Sequence, residues 1–173
     1  LILKLNVTGW KISTHCLGAR MKHLLIITHA PSQNTVRLRD AVIEGALSIK
    51  SAVVDCKALS PFNTDPSHLM NASAIILGTP ENLGYMSGAM KDFFDRCYYP
   101  CLEHTQGLPF STFIRAGHDG TGTKLAIQSI TTGLKWTLVQ EPLILHGDWQ
   151  EHFIPQCHEL GAVMAAGLDA GIY

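Results

Sequence analysis

The sequence predicts an α/β domain in which one parallel sheet carries helices on both faces. Three observations carry this. From Met21 onward, short runs rich in Ile, Leu and Val alternate with segments whose apolar residues recur at helical spacing, the mark of successive βα units. The first and third strand-like runs are apolar throughout rather than alternating, as strands covered on both sides require. And 173 residues, 46% hydrophobic and 16% charged, supply one core but not two.

Residues 23–28 (HLLIIT) form the first strand. Residues 34–49 follow as a helix, with Leu38, Val42, Ala46 and Ile49 on one face. Residues 51–56 read as a second strand. Residues 58–71, rich in Pro, Asn, Asp and Ser, read as a loop with at most one short helix. Residues 73–78 (SAIILG) are a third strand ending at Gly78, and residues 87–97 a helix with Ser87 as N-cap. Residues 109–116 make a fourth strand, residues 123–135 a helix, and a fifth strand lies within 136–145. A helix over residues 154–168 closes the chain and buries Ile154, Cys157, Gly161, Met164 and Leu168.

Residues 1–20 show neither period and begin without Met, whereas Met21 runs straight into a strand. Met21 therefore reads as the natural start and residues 1–20 as a non-native or disordered leader, which does not match a secretory signal. Residues 21–173 are then a single domain.

Composition excludes several function classes. A net charge of −1 without a Lys/Arg block gives no footprint for nucleic acid or an anionic membrane. The apolar runs fall well short of the ~20 residues that cross a bilayer. Five irregularly spaced cysteines do not form a disulfide framework, so a reducing cytoplasm is the expected compartment. Cys97 and Cys101, with His104 nearby, suggest zinc, but no second pair completes four ligands. His146, His152 and His158, with Asp148, lack a His-x-x-x-His pair and read as surface residues or part of a dimer face. No metal is expected.

In such a sheet, ligands bind beyond the carboxyl ends of the strands, so three loops matter. After the first strand come His29, Ala30, Pro31, Ser32, Gln33, Asn34 and Thr35. Ser32, Asn34 and Thr35 can either cap the helix or add donors to a phosphate at its N-terminus, and His29 can flank the ligand. After the third strand, Thr79, Pro80, Glu81, Asn82, Leu83, Gly84, Tyr85 and Met86 place apolar residues in a loop. A planar ligand would give them something to cover, and the backbone N–H groups of 81–85 can meet its polar edge. After the fourth strand, Ala116, Gly117, His118, Asp119, Gly120, Thr121 and Gly122 carry three glycines into a helix. His118 is either a ligand-facing donor or a solvent-facing turn residue.

The stretch GTPENLGYMSGAMKDFFDR (78–96) resembles the loop-and-helix motif of flavodoxin-like NAD(P)H:quinone oxidoreductases of the WrbA-like group and of NADPH-dependent FMN reductases. Gly78, Thr79, Pro80, Gly84, Met86, Ser87, Gly88, Phe94, Asp95 and Arg96 match it. The first loop matches only the Ser-x-Asn-Thr part of the reductase form.

The resemblance implies a flavodoxin-like three-layer sandwich with strand order 2-1-3-4-5. It implies FMN, with its phosphate on Ser32, Asn34 and Thr35 and His29 flanking it. The flavin ring would meet residues Thr79 to Met86 and Ala116, Gly117, His118, Gly120 and Gly122. NADH or NADPH would be the co-substrate, and a quinone, a dye or free flavin the small-molecule acceptor. Tyr85 and His118 would line the shelf where donor and acceptor alternate, the hydride chemistry being the flavin's. A homodimer or larger homo-oligomer is expected on the same ground. The alternatives are a flavodoxin-type electron carrier, disfavoured by the near-zero charge, or a flavodoxin-like domain without activity.

Overall fold

The computed structural model describes residues 21–173. The expected leader lies outside them. The elements are β1 (Lys22–Thr28), α1 (Gln33–Ser48), β2 (Val54–Leu59), a 3-10 turn (Pro61–Asn63), α2 (Pro66–Asn71), β3 (Ala74–Asn82), β4 (Tyr85–Met86), α3 (Gly88–Cys101), β5 (Pro109–Ala116), α4 (Thr121–Gly133), β6 (Thr137–Leu138), β7 (Leu143–His146) and α5 (Phe153–Ala170).

β2, β1, β3 and β5 pair in parallel in that order, and β6 and β7 both pair with β5 on its far side. Counting β6 and β7 as the two halves of the fifth strand recovers the expected order 2-1-3-4-5. Successive side chains of β1 serve two cores. Leu24 and Ile26 pack with α1 and α5, while Leu25 and Ile27 pack with α3 and α4. That division follows from the period-2 geometry of a strand covered on both faces. The fold is flavodoxin-like.

Beyond shifts of one or two residues at the ends of other elements, four boundaries differ from expectation. β2 runs three residues later, because its alternating burial belongs to an edge strand: Asp55 and Lys57 face outward. Ser51, read as part of the strand, instead accepts from the N–H groups of Val53 and Val54 at 3.0 Å each. The fifth strand is broken over residues 139–142, where Pro142 cannot donate to the ladder; Gln140 C=O accepts instead from the Ser111 hydroxyl at 3.2 Å. The helix expected over 87–97 continues to Cys101, carrying Pro100 in its last turn. And β3 continues past Gly78 to Asn82. No helix among the described residues is long and apolar enough to cross a membrane.

Candidate functional site

All three loops lie at the carboxyl edge of the sheet, but among the described residues only the second and third are in direct contact. The His29 N–H donates to Gly78 C=O at 2.9 Å, tying the first loop to β3. Ser32 caps α1 by a reciprocal box: its Oγ accepts the Thr35 N–H at 3.3 Å, while Thr35 Oγ1 accepts the Ser32 N–H at 2.9 Å. Thr35 spends its one hydroxyl proton on Ser32 C=O at 2.8 Å and is buried. It braces the loop and has no donor left for a phosphate, which corrects one sequence expectation. Ser32 is exposed, with its Oγ 3.0 Å from Thr35 Oγ1, and the N–H groups of Gln33 and Asn34 lie in the first turn, where a helix leaves donors unpaired.

The second loop is a hairpin. Glu81 pairs with Met86 and Asn82 with Tyr85, antiparallel. The two turn residues, Leu83 and Gly84, have φ of +55° and +74°, the signature of a type I′ turn. Thr79 and Pro80 are buried in the ladder opposite Ile114 and Arg115. Thr79 Oγ1 donates to Pro80 C=O at 2.9 Å and accepts the Ser87 N–H at 3.1 Å, locking β3 onto the cap of α3. Met86 is 2% exposed and belongs to the core. The side chains of Thr79, Pro80 and Met86 therefore face inward, which leaves only their backbone to meet a ligand. Gly88 is an ordinary first residue of α3 with open space around it.

Hairpin and third loop border an open, shallow crevice of about 540 Å3 lined by Glu81, Gly84, His118, Asp119, Gly122 and His146. Its wall is braced twice. Glu81 Oε2 accepts the His118 N–H at 3.0 Å. The carbonyl oxygen of Gly84 lies 2.1 Å from where a Cβ on Gly122 would stand, so only glycine fits there. Gly120, at φ +73°, offers no side-chain cap to α4, and Asp119 Oδ1 accepts the Thr121 N–H at 2.9 Å instead. That N–H holds the Asp119 carboxyl below its usual range. The contact between Gly84 and Gly122 leaves no space between them, and the exposed Gly122 leaves the backbone bare on the crevice side.

Two residues were missed from the sequence. His146 reaches the crevice because β7 pairs with β5 in a register that sets it opposite Ala116. The break in the fifth strand hid this. Arg115 bonds three carbonyls, those of Ala116, Leu145 (3.1 Å) and Gly147 (2.6 Å), and lies 5.6 Å from the Phe153 ring centroid. It fixes both strand ends beneath the third loop. A half-buried Arg in a strand was the available signal.

Other expected residues disperse. His29 lines a separate recess with Ser60 and Arg39, edge-on to Phe62, and burial lowers its pKa. Tyr85, 40% exposed, sits on the flank of the hairpin near Lys91 rather than inside the crevice. Leu83 stands fully exposed at the tip, and Asn82 and Asn34 are exposed. Cys97 and Cys101 are core residues whose thiols burial pushes up to about 12 and about 11. Among the described residues, no three His, Cys, Asp or Glu side chains are placed to hold a metal ion.

A doubly wound sheet with a helix N-terminus and a glycine-lined crevice at its carboxyl edge defines a flavodoxin-type domain. The family model described as NADPH-dependent FMN reductase matches residues 35–150. The chain belongs to that family. A flavodoxin of Aquifex aeolicus (strain VF5) is 29% identical over 114 residues, 66% of this chain; the match spans only 60% of that relative's length. Two solved structures share the fold at 20% identity. A flavodoxin from the domain Archaea superposes with a TM-score of 0.69 over 84% of this chain and 98% of its own. The flavodoxin, WrbA-like protein of Agrobacterium tumefaciens does so with a TM-score of 0.65 over 87% and 98%.

Proposed function

We propose that the chain is an FMN-dependent oxidoreductase that takes hydride from NADH or NADPH and passes it to a small acceptor such as a quinone or a flavin. The observation that carries this is the crevice between Glu81, Gly84, His118 and Gly122, open above and continuous with backbone free of side chains. Bound FMN would supply the hydride chemistry.

The chain's own residues bind, orient and shield. Ser32 Oγ and the N–H groups of Gln33 and Asn34 would hold the phosphate, with the α1 dipole adding attraction. No Lys or Arg lies in the first turn of α1, so the anion is met by neutral donors. The hairpin and the 116–122 loop orient the ring. His118 and His146 stand on the crevice wall as hydrogen-bonding groups for donor and acceptor molecules. The crevice is open enough for the two to alternate, in keeping with a ping-pong sequence.

An optical titration of the purified chain with FMN, followed by NADH and NADPH oxidation with and without a quinone, tests the reading. Uptake of flavin with acceptor-dependent turnover supports it; no flavin uptake sinks it. The second reading is an electron carrier, favoured by the likeness to the Aquifex protein called flavodoxin. Flavin uptake without NAD(P)H oxidation would select it. Cytoplasmic location and a homo-oligomer remain parts of the same proposal.

A further inference from the structure

We propose that Glu81 is a positioning residue that holds the crevice closed at its base and sets its charge, an assignment that rests on the flavin reading above. Glu81 sits at a junction in the sheet. The parallel ladder to β5 ends one residue earlier, at Pro80 opposite Arg115, and the antiparallel pairing to β4 begins at Glu81 itself. Its backbone is therefore held by β4 on one side, directly after the last residue paired to β5. Its side chain crosses to the third loop, where residues 117–119 are exposed and have left the sheet. Among the described residues, the bond from the His118 N–H to Glu81 Oε2 is the hydrogen bond that joins loop to hairpin. A carboxylate makes that bond stronger than an amide acceptor would.

The same carboxylate places a formal negative charge on the crevice wall. Asp119 adds a second, and the other ionisable groups lining the crevice are His118 and His146; neither Lys nor Arg lines it. A flavin bound there would take up electrons beside Glu81, and the wall's negative charge would favour its oxidised form over the reduced one. Glu81→Gln keeps an acceptor for His118 and removes the charge. Glu81→Ala removes both.

Amide hydrogen exchange of His118 in the flavin-free chain reads the latch alone. Exchange within about threefold of wild type is expected for Glu81→Gln, and at least about tenfold faster exchange for Glu81→Ala. FMN titration and potentiometry read the rest. Glu81→Gln binds oxidised FMN within about twofold of wild type but the reduced form about tenfold more tightly, a midpoint about 30 mV higher for a two-electron couple. Glu81→Ala binds oxidised FMN about tenfold more weakly. Unchanged His118 exchange in Glu81→Ala overturns the positioning role. An unmoved midpoint in Glu81→Gln overturns the charge role. Wild-type chain that takes up no FMN ends the flavin reading and the tuning with it, whatever the exchange result.

Discussion

Gly84 C=O and the Cα of Gly122 meet so closely that a methyl group on Gly122 would lie 2.1 Å from the oxygen. The β3–β4 hairpin is thereby seated on the first turn of α4. Gly122→Ala must push the two apart and is expected to cost about 1–3 kcal/mol, as overpacking does, and to weaken FMN binding. Gly84→Ala meets no atom within 4 Å but adopts φ +74°, so it costs only about 1 kcal/mol of backbone strain. Urea unfolding of both variants, with flavin titration, checks the contrast.

Leu83 sits at φ +55° with its side chain wholly in solvent. It carries left-handed strain and contributes no burial. Leu83→Asn, a residue that accepts this conformation, should stabilise by roughly 0.5–1 kcal/mol and raise the melting temperature by about 1–4 °C. A thermal scan that shows a lower melting temperature would mean that the tip is packed against something.

Ser32 has two separable jobs. As N-cap it stabilises α1, and in the proposed function its exposed hydroxyl adds to the phosphate site. Ser32→Ala should cost about 1 kcal/mol of stability, whereas Ser32→Gly, a tolerated cap, should cost only a few tenths. Both lose the hydroxyl, so both should weaken FMN binding alike. Equal flavin affinity in wild type and Ser32→Gly would remove Ser32 from the phosphate site.

Burial pushes the thiols of Cys97 and Cys157 up to about 12, and those of Cys56 and Cys101 to about 11, from an ordinary value of 9.0. The folded state thus prefers the neutral thiol. That contribution is complete below pH 9 and is lost as pH climbs from 9 toward 12. The urea midpoint should fall between pH 8.5 and 10.5, and Cys157→Ala should lessen the fall. A midpoint that does not move would show the thiols to be solvent-accessible.

Much of this was legible because the pattern and the packing agree. β5 matches its expected range residue for residue, since PFSTFIRA is bounded by turn residues on both sides. Ser87 caps α3 as expected. What hid was set by partners far along the chain. The hairpin at Leu83–Gly84 lacks the Asn-Gly or Asp-Gly pair that announces a type I′ turn, so β4 went unseen. His146 joins the crevice only through its register with Ala116, which no local signal encodes. Thr35 fits a phosphate loop by residue type, but its hydroxyl is consumed by its own cap. Residue type was informative, and bond partners were not.

The broken fifth strand has a consequence for how copies of this chain can meet. One margin of the sheet offers β6 and β7, of two and four residues, separated by Pro142; the other offers β2, studded with outward Asp55 and Lys57. Neither presents the long, plain run of free amides that recruits a foreign strand. Among the described residues both flanks are guarded against growth by sheet extension, which leaves helices and turns as the surfaces through which copies would associate.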